Sequence, residues 1–170
     1  LSLGICSAWV ALAELANAYA SLAAGGKRAP AILVSKIATD ETPRPPAEQV
    51  VAPEIAFLVT SLMESVIEEG TAVYAKGKLH RPAAGKTGTT DGSQAVWFIG
   101  YTPNMVAASV VAGVTPTLQP HSLTGVTIHG NFISFASGGG TAGPIWLQAM
   151  QAIERFLPDT AFVPPDPQII

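Results

Sequence analysis

Three short β-type runs, 84–90, 95–101 and 105–114, follow one another with only Asp91-Gly92-Ser93-Gln94 and Thr102-Pro103-Asn104 between them. Parallel neighbours would need a crossover of a dozen or more residues, so runs this close pair antiparallel. Helical patterns lie on either side of them. Trp9, Leu12, Leu15, Ala16, Tyr19, Leu22 and Ala23 recur at threes and fours, with Ser7 as a cap and Gly25-Gly26 as the stop. A second helix opens at Pro53, a residue suited to the first helical position. It places Ile55, Leu58, Val59, Leu62, Met63 and Val66 on one apolar face before Gly70. A last helix begins near Pro144 and carries Ile145, Leu147, Met150, Ile153 and Phe156 as its apolar stripe. Residues 31–37 read as a further strand, 39–49 as a polar proline-rich loop, 71–83 as a connection, and 115–143 as a segment rich in Gly, Ser, Thr and Pro. The order predicts an α+β architecture, an antiparallel β-sheet flanked by helices.

A length of 170 residues and a hydrophobic content of 48% suit one domain with a sizeable core. The net charge of -3 comes without a basic cluster, so no nucleic-acid partner is expected. A single cysteine, Cys6, excludes an internal disulfide, and His80, His121 and His129 are scattered without ligand spacing, so neither a metal nor another cofactor is expected. No apolar run is long enough to cross a bilayer. The tail over 158–170 is proline-rich and reads as loose.

The chemistry concentrates in Gly85-Lys86-Thr87-Gly88-Thr89-Thr90. On an edge strand, Thr87 and Thr89 share one face, because side chains alternate, and Lys86 points the other way, into the protein. Two hydroxyls on one face suit a carboxylate. Gly88, with no side chain, lets an acyl group lie against the backbone N–H of Thr89. This is one half of an acyl-transfer site.

Lys86-Thr87-Gly88 resembles the third motif of the penicillin-binding protein and serine β-lactamase superfamily, whose set is Ser-x-x-Lys, Ser-x-Asn or Ser-Asp-Asn, and Lys-Thr-Gly. The surroundings add Leu15-Ala16-Asn17-Ala18-Tyr19-Ala20, Gly25-Gly26-Lys27-Arg28, Gly70-Thr71-Ala72, the run from Ala95 to Pro103, and the run from Gly138 to Trp146. In this order they resemble the later half of the transpeptidase domain of a bifunctional, class A penicillin-binding protein, from residue 1 to about 155. The first two motifs of the superfamily do not occur. Ser35 is followed directly by Lys36, and neither Asn17, Asn104 nor Asn131 has a serine two residues before it. With no methionine or export signal at Leu1, the chain reads as the C-terminal part of such a domain, over 1–157, whose nucleophile lies on a preceding or separate segment.

The resemblance implies a D,D-transpeptidase that takes an acyl group from a D-Ala-D-Ala stem peptide of peptidoglycan, through an acyl-serine, to an amine of a neighbouring strand. Lys86 would assist proton shuttling toward the missing serines, and Thr87 and Thr89 would hold the carboxylate of a substrate or a β-lactam antibiotic. The Thr89 N–H would supply one oxyanion donor, with Gly88 permitting the approach. The implied partners are the segment carrying Ser-x-x-Lys and Ser-x-Asn, stem peptides and β-lactams. The implied location is extracytoplasmic, in a membrane-anchored parent protein. A non-catalytic penicillin-binding or sensing module, a D,D-carboxypeptidase and a β-lactamase share the same motif.

Blander readings stand beside these. Lys86 as an ordinary strand lysine would snorkel to solvent. Gly85-Lys86-Thr87 also ends the pattern of a nucleotide-binding loop, but His80 stands where that pattern needs its first glycine, and Gly88 and Gly92 oppose the helix that should follow. Asp91 to Gln94 read as a hairpin turn, Trp97, Phe98 and Tyr101 as packing residues, and Cys6 as a small buried hydrophobe. Gly138-Gly139-Gly140 reads either as a flexible approach to the last helix or as a border of the site.

Overall fold

The structure, a computed structural model, describes residues 11–34, 36, 37, 40, 41 and 43–164. Helix α1 spans Leu12–Ala23, its first turn anchored by the Glu14 carboxylate, which accepts the Ala11 N–H at 2.9 Å. It stops where the backbone turns left-handed at Gly25 and Gly26, with φ of 64° and 86°. Cys6, the expected cap Ser7 and Trp9 lie outside the described residues.

Two small antiparallel pairs follow: β1 (Lys27–Arg28) with β4 (Glu48–Gln49), and β2 (Lys36–Ile37) with β3 (Asp40–Glu41). The strand expected over 31–37 is therefore not formed as one element. Residues 31–34 are irregular and Leu33 is 96% exposed, while the expected loop contains β3 and β4. A β-branched run needs a partner before its propensity counts, and Pro30 interrupts the ladder just after β1.

Helix α2 runs Pro53–Glu68, opening on proline as expected, but its inward face is rotated from the predicted one. Ala56, Thr60 and Ile67 are buried, and Val59, Met63 and Val66 are half-buried. Ile55, Leu58 and Leu62 are 55%, 56% and 71% exposed. Two contacts set the rotation. Thr60 Oγ1 lies 2.9 Å from Tyr101 Oη in a buried hydrogen bond, and Ala56, fully buried, lets the helix approach closely. An unpaired buried phenol would cost more than the exposure of a few methyls, so the polar pair prevails over the apolar stripe.

The main sheet is β5 (Ala84–Thr89), β6 (Ala95–Thr102) and β7 (Met105–Ala112), antiparallel in the order β5-β6-β7. The expected strands and turns are found to within two residues. Val126–Ile128 and Asn131–Ile133 form a further hairpin, β8 and β9, within the segment rich in Gly, Ser, Thr and Pro, where no strand was expected. His129 and Gly130 carry φ of 48° and 81° at its turn, as a two-residue hairpin requires. Three-residue strands are too short to show alternation in sequence.

Helix α3 spans Gly143–Ile153 and buries Trp146, Leu147 and Met150 against the sheet. Ile145 and Phe156, expected inside, are 51% and 73% exposed. The indole takes the inward place. Its Nε1–H donates to Gly100 O at 3.1 Å, its ring lies 4.8 Å from that of Phe98, and a Cβ at Gly100 would come within 2.7 Å of it. Helices α1 and α2 cover the Tyr101 face of the sheet and α3 the Phe98 face, giving the expected α+β layering. Trp97 is half-buried, whereas Phe98 and Tyr101 are core residues as expected. The start of the tail is docked rather than loose: Arg81 donates to the carbonyls of Leu157 and Pro158, and the Phe162 ring meets that of Tyr101 edge-on at 5.7 Å.

Candidate functional site

Strand β5 lies at an edge of its sheet, and among the described residues no strand pairs with its outer side. The Thr90 N–H donates to Ala95 O at 2.9 Å, so the hydrogen-bonded pairs of this ladder fall on Gly88 with Trp97 and Lys86 with Ile99. The alternate residues Gly85, Thr87 and Thr89 turn their N–H and C=O groups to the open edge. The Thr89 N–H is thereby available to an incoming acceptor.

The hydroxyls of Thr87 and Thr89 share the α3 face of the strand, as expected, and each is held from behind. Thr87 Oγ1 lies 3.0 Å from Thr71 Oγ1, and Thr89 Oγ1 accepts the Gly138 N–H at 3.1 Å. Lys86 points to the opposite face but is exposed there, not directed into the protein as the alternation suggested. Helix α2 packs against β5, where Ala84 is fully buried, yet Lys86 two residues on is exposed. The Lys86 ammonium folds back to donate to Thr87 O at 2.9 Å, placing its charge on the same open edge.

Gly138 to Gly140 border the site. A Cβ at Gly138 would collide with Trp97 O and come within 2.7 Å of Gly88 N and O, so that backbone lies directly on the Gly88 peptide. The turn over Gly138–Ala142 then feeds α3, whose first residue, Gly143, makes room for the Tyr74 phenol. The Tyr74 hydroxyl is buried and has no hydrogen-bond partner among the described residues, and burial pushes its pKa up to about 12. Gly88 differs from these glycines. A Cβ there would meet Trp97 at an ordinary 3.5 Å and its φ is not left-handed, so internal packing does not demand glycine. Asp91–Ser93 form the tight connection to β6, as expected of a hairpin turn.

Sequence reading named the four motif residues but neither Thr71 nor Gly138 as their support. The traces of that support were Gly70-Thr71-Ala72 and the triple glycine, of whose two readings, an approach to the last helix or a border of the site, the second is found. The three histidines are exposed on the surface, and no cluster fit to hold a metal occurs among the described residues. A cavity of about 370 Å³ between α2 and residues 75–83 is lined by Glu64, Ile67, Glu68 and Arg81 and contains no motif residue. Arg81 spends its donors there on Glu154 and two carbonyls, so the cavity offers no free cation.

Residues 1–134 match the family model for the penicillin-binding protein transpeptidase domain. The chain belongs to this family. It is 30% identical over 175 residues to penicillin-binding protein 1A of Aquifex aeolicus (strain VF5), a match covering 99% of this chain and 22% of that protein. It is 26% identical over 163 residues to penicillin-binding protein 1A of Neisseria lactamica, covering 90% and 19%. The crystal structure of penicillin-binding protein 1A from Haemophilus influenzae superposes with a TM-score of 0.69 at 22% identity, over 96% of this chain and 29% of that one. The chain thus spans about a fifth of these curated relatives, and the penicillin-binding fold agrees with the expected antiparallel sheet flanked by helices.

Proposed function

We propose that this chain is the C-terminal part of a class A D,D-transpeptidase domain, and that β5 forms one wall of an acyl-transfer site whose nucleophilic serine lies on a segment bearing Ser-x-x-Lys and Ser-x-Asn. The observation that carries the reading is the open edge of β5, with the Thr89 N–H outward and the Thr87 and Thr89 hydroxyls on one face. A peptide ending in D-Ala-D-Ala is extended and carries a terminal carboxylate. It adds to such an edge as a strand, with its carboxylate at the hydroxyls and its scissile carbonyl at the Thr89 N–H.

In the proposed reaction the serine oxygen attacks that carbonyl, D-Ala leaves as an amine, and the amine of a second stem peptide releases the acyl group from the serine. Lys86, exposed at the edge, supplies positive charge beside the reacting groups and assists proton transfer to the serines. The absence of any internal need for glycine at residue 88 supports its use for close approach of an external ligand. β-Lactams bind as mimics of the peptide. This reading carries with it an extracytoplasmic location, in the periplasm or on the outer face of the cytoplasmic membrane, and a membrane-anchored parent, as the resemblance to class A penicillin-binding proteins implies.

The test is a fluorescent penicillin followed by a denaturing gel. Label on the polypeptide that carries Ser-x-x-Lys, in a preparation containing this chain, is the expected result. Label on the 17.5 kDa chain by itself would overturn the assignment of the nucleophile. Ligand capture without label would turn the reading toward a sensing module.

A further inference from the structure

Thr71 is not a motif residue, yet it is the hydroxyl neighbour of Thr87. Its backbone is fixed on both sides: the Ala72 N–H donates to Val66 O at 2.9 Å and the Val73 N–H to Gly70 O at 3.2 Å. Gly70 allows the chain to fold back so tightly, since a Cβ there would stand 2.7 Å from the Val66 Cα. On the other side Gly139 packs on the Thr71 carbonyl, with which a side chain would collide, and a Cβ there would meet the Thr87 methyl at 3.6 Å. Thr71 Oγ1 is thus held 3.0 Å from Thr87 Oγ1.

A hydroxyl has one proton and two lone pairs, and only one proton can lie between two hydroxyls. A carboxylate at Thr87 can only accept, so Thr87 must donate outward and take its own hydrogen bond from Thr71. The Gly138 N–H does the same for Thr89 at 3.1 Å. Both lone-pair sides are then engaged from within and both protons face the open edge, and a chain of donors polarises toward the anion.

We propose that Thr71 is a positioning residue, whose hydroxyl directs the Thr87 proton at the carboxylate of the bound acyl donor. The inference rests on the reading of β5 as the carboxylate clamp. Its role is to set carboxylate recognition, not acyl chemistry as such.

The experiment uses the protein that carries this chain together with its serine segment, and measures second-order acylation rates for benzylpenicillin and for its methyl ester. The wild type should favour the free acid. Thr71→Val should lower the rate with the acid by about three- to tenfold, the value of one hydrogen bond between neutral groups, and leave the ester rate unchanged. Thr71→Ser, which keeps the hydroxyl, should restore the acid rate. Thr71 is exposed, so neither change opens a cavity. An unchanged acid rate in Thr71→Val, an equal loss with acid and ester, or failure of Thr71→Ser to recover would each overturn the inference. A wild type without preference for the acid would instead overturn the clamp itself, and the inference with it.

Discussion

Lys86 and Tyr74 show how differently two polar side chains beside one site are used. Lys86 is exposed and, among the described residues, bonds only the neighbouring carbonyl of Thr87, so Lys86→Ala should leave stability within about 0.5 kcal/mol by thermal melting. In the protein with its serine segment the same change should slow acylation by about 10²–10⁴, the range for a proton-transfer group. Normal acylation would remove Lys86 from the mechanism. Tyr74 buries its hydroxyl without a partner among the described residues. An exposed phenol ionises near 10, whereas in the fold burial moves Tyr74 up to about 12. Its contribution to stability is full below the lower value and is lost as pH rises through the upper one. Tyr74→Phe should therefore be neutral or stabilising at pH 7, by up to about 1 kcal/mol, and should lessen the loss of stability in that alkaline window, as read by denaturant titration. The face shared by Thr87 and Thr89 was legible because strand alternation is local. The exposure of Lys86 was not, since it depends on how neighbouring elements pack on β5.

Among the elements, the three strands of the main sheet were read closely because short connections leave antiparallel pairing as the one solution. The helices were located correctly, and Leu147, Met150 and the half-buried Val59, Met63 and Val66 belong to the predicted faces, but Ile55, Leu58, Leu62 and Ile145 were misread as inward. In α2 the Thr60 to Tyr101 hydrogen bond turns Ala56 and Ile67 inward, and in α3 Trp146 displaces Ile145. Hydrophobic periodicity counts methyl groups and gives no weight to a buried hydrogen bond or to a glycine on the opposite strand. The observed rotation of α2 makes a quantitative distinction. Ile67→Ala should cost about 2–5 kcal/mol, as for a buried aliphatic side chain, while Leu62→Ala, at 71% exposure, should stay within about 0.5 kcal/mol. Equal losses in chemical denaturation would restore the face expected from periodicity.

Across the whole molecule, the helix layers are tied together by contacts between residues far apart in the chain. Glu154, buried after α3, accepts the His80 N–H at 2.9 Å and faces Arg81 at 3.8 Å, while Arg81 also holds the carbonyls of Leu157 and Pro158. This junction closes the segment that enters β5 against the end of α3. Glu154→Ala should cost about 3–5 kcal/mol, because it strands a buried guanidinium, and a smaller loss in thermal unfolding would show the carbonyls to be sufficient. None of these pairings was visible in sequence, where Glu154 is an ordinary polar residue more than seventy positions from His80 and Arg81. Layer architecture and motif were legible; the Gly138 turn, Thr71 and the Arg81 junction required the folded chain. The most direct test of the proposed site is a crystal structure of the benzylpenicillin adduct of the protein that carries this chain. The acyl oxygen should lie about 2.7–3.1 Å from the Thr89 N, with the carboxylate against the Thr87 and Thr89 hydroxyls. An adduct seated away from the outer edge of β5 would contradict that assignment.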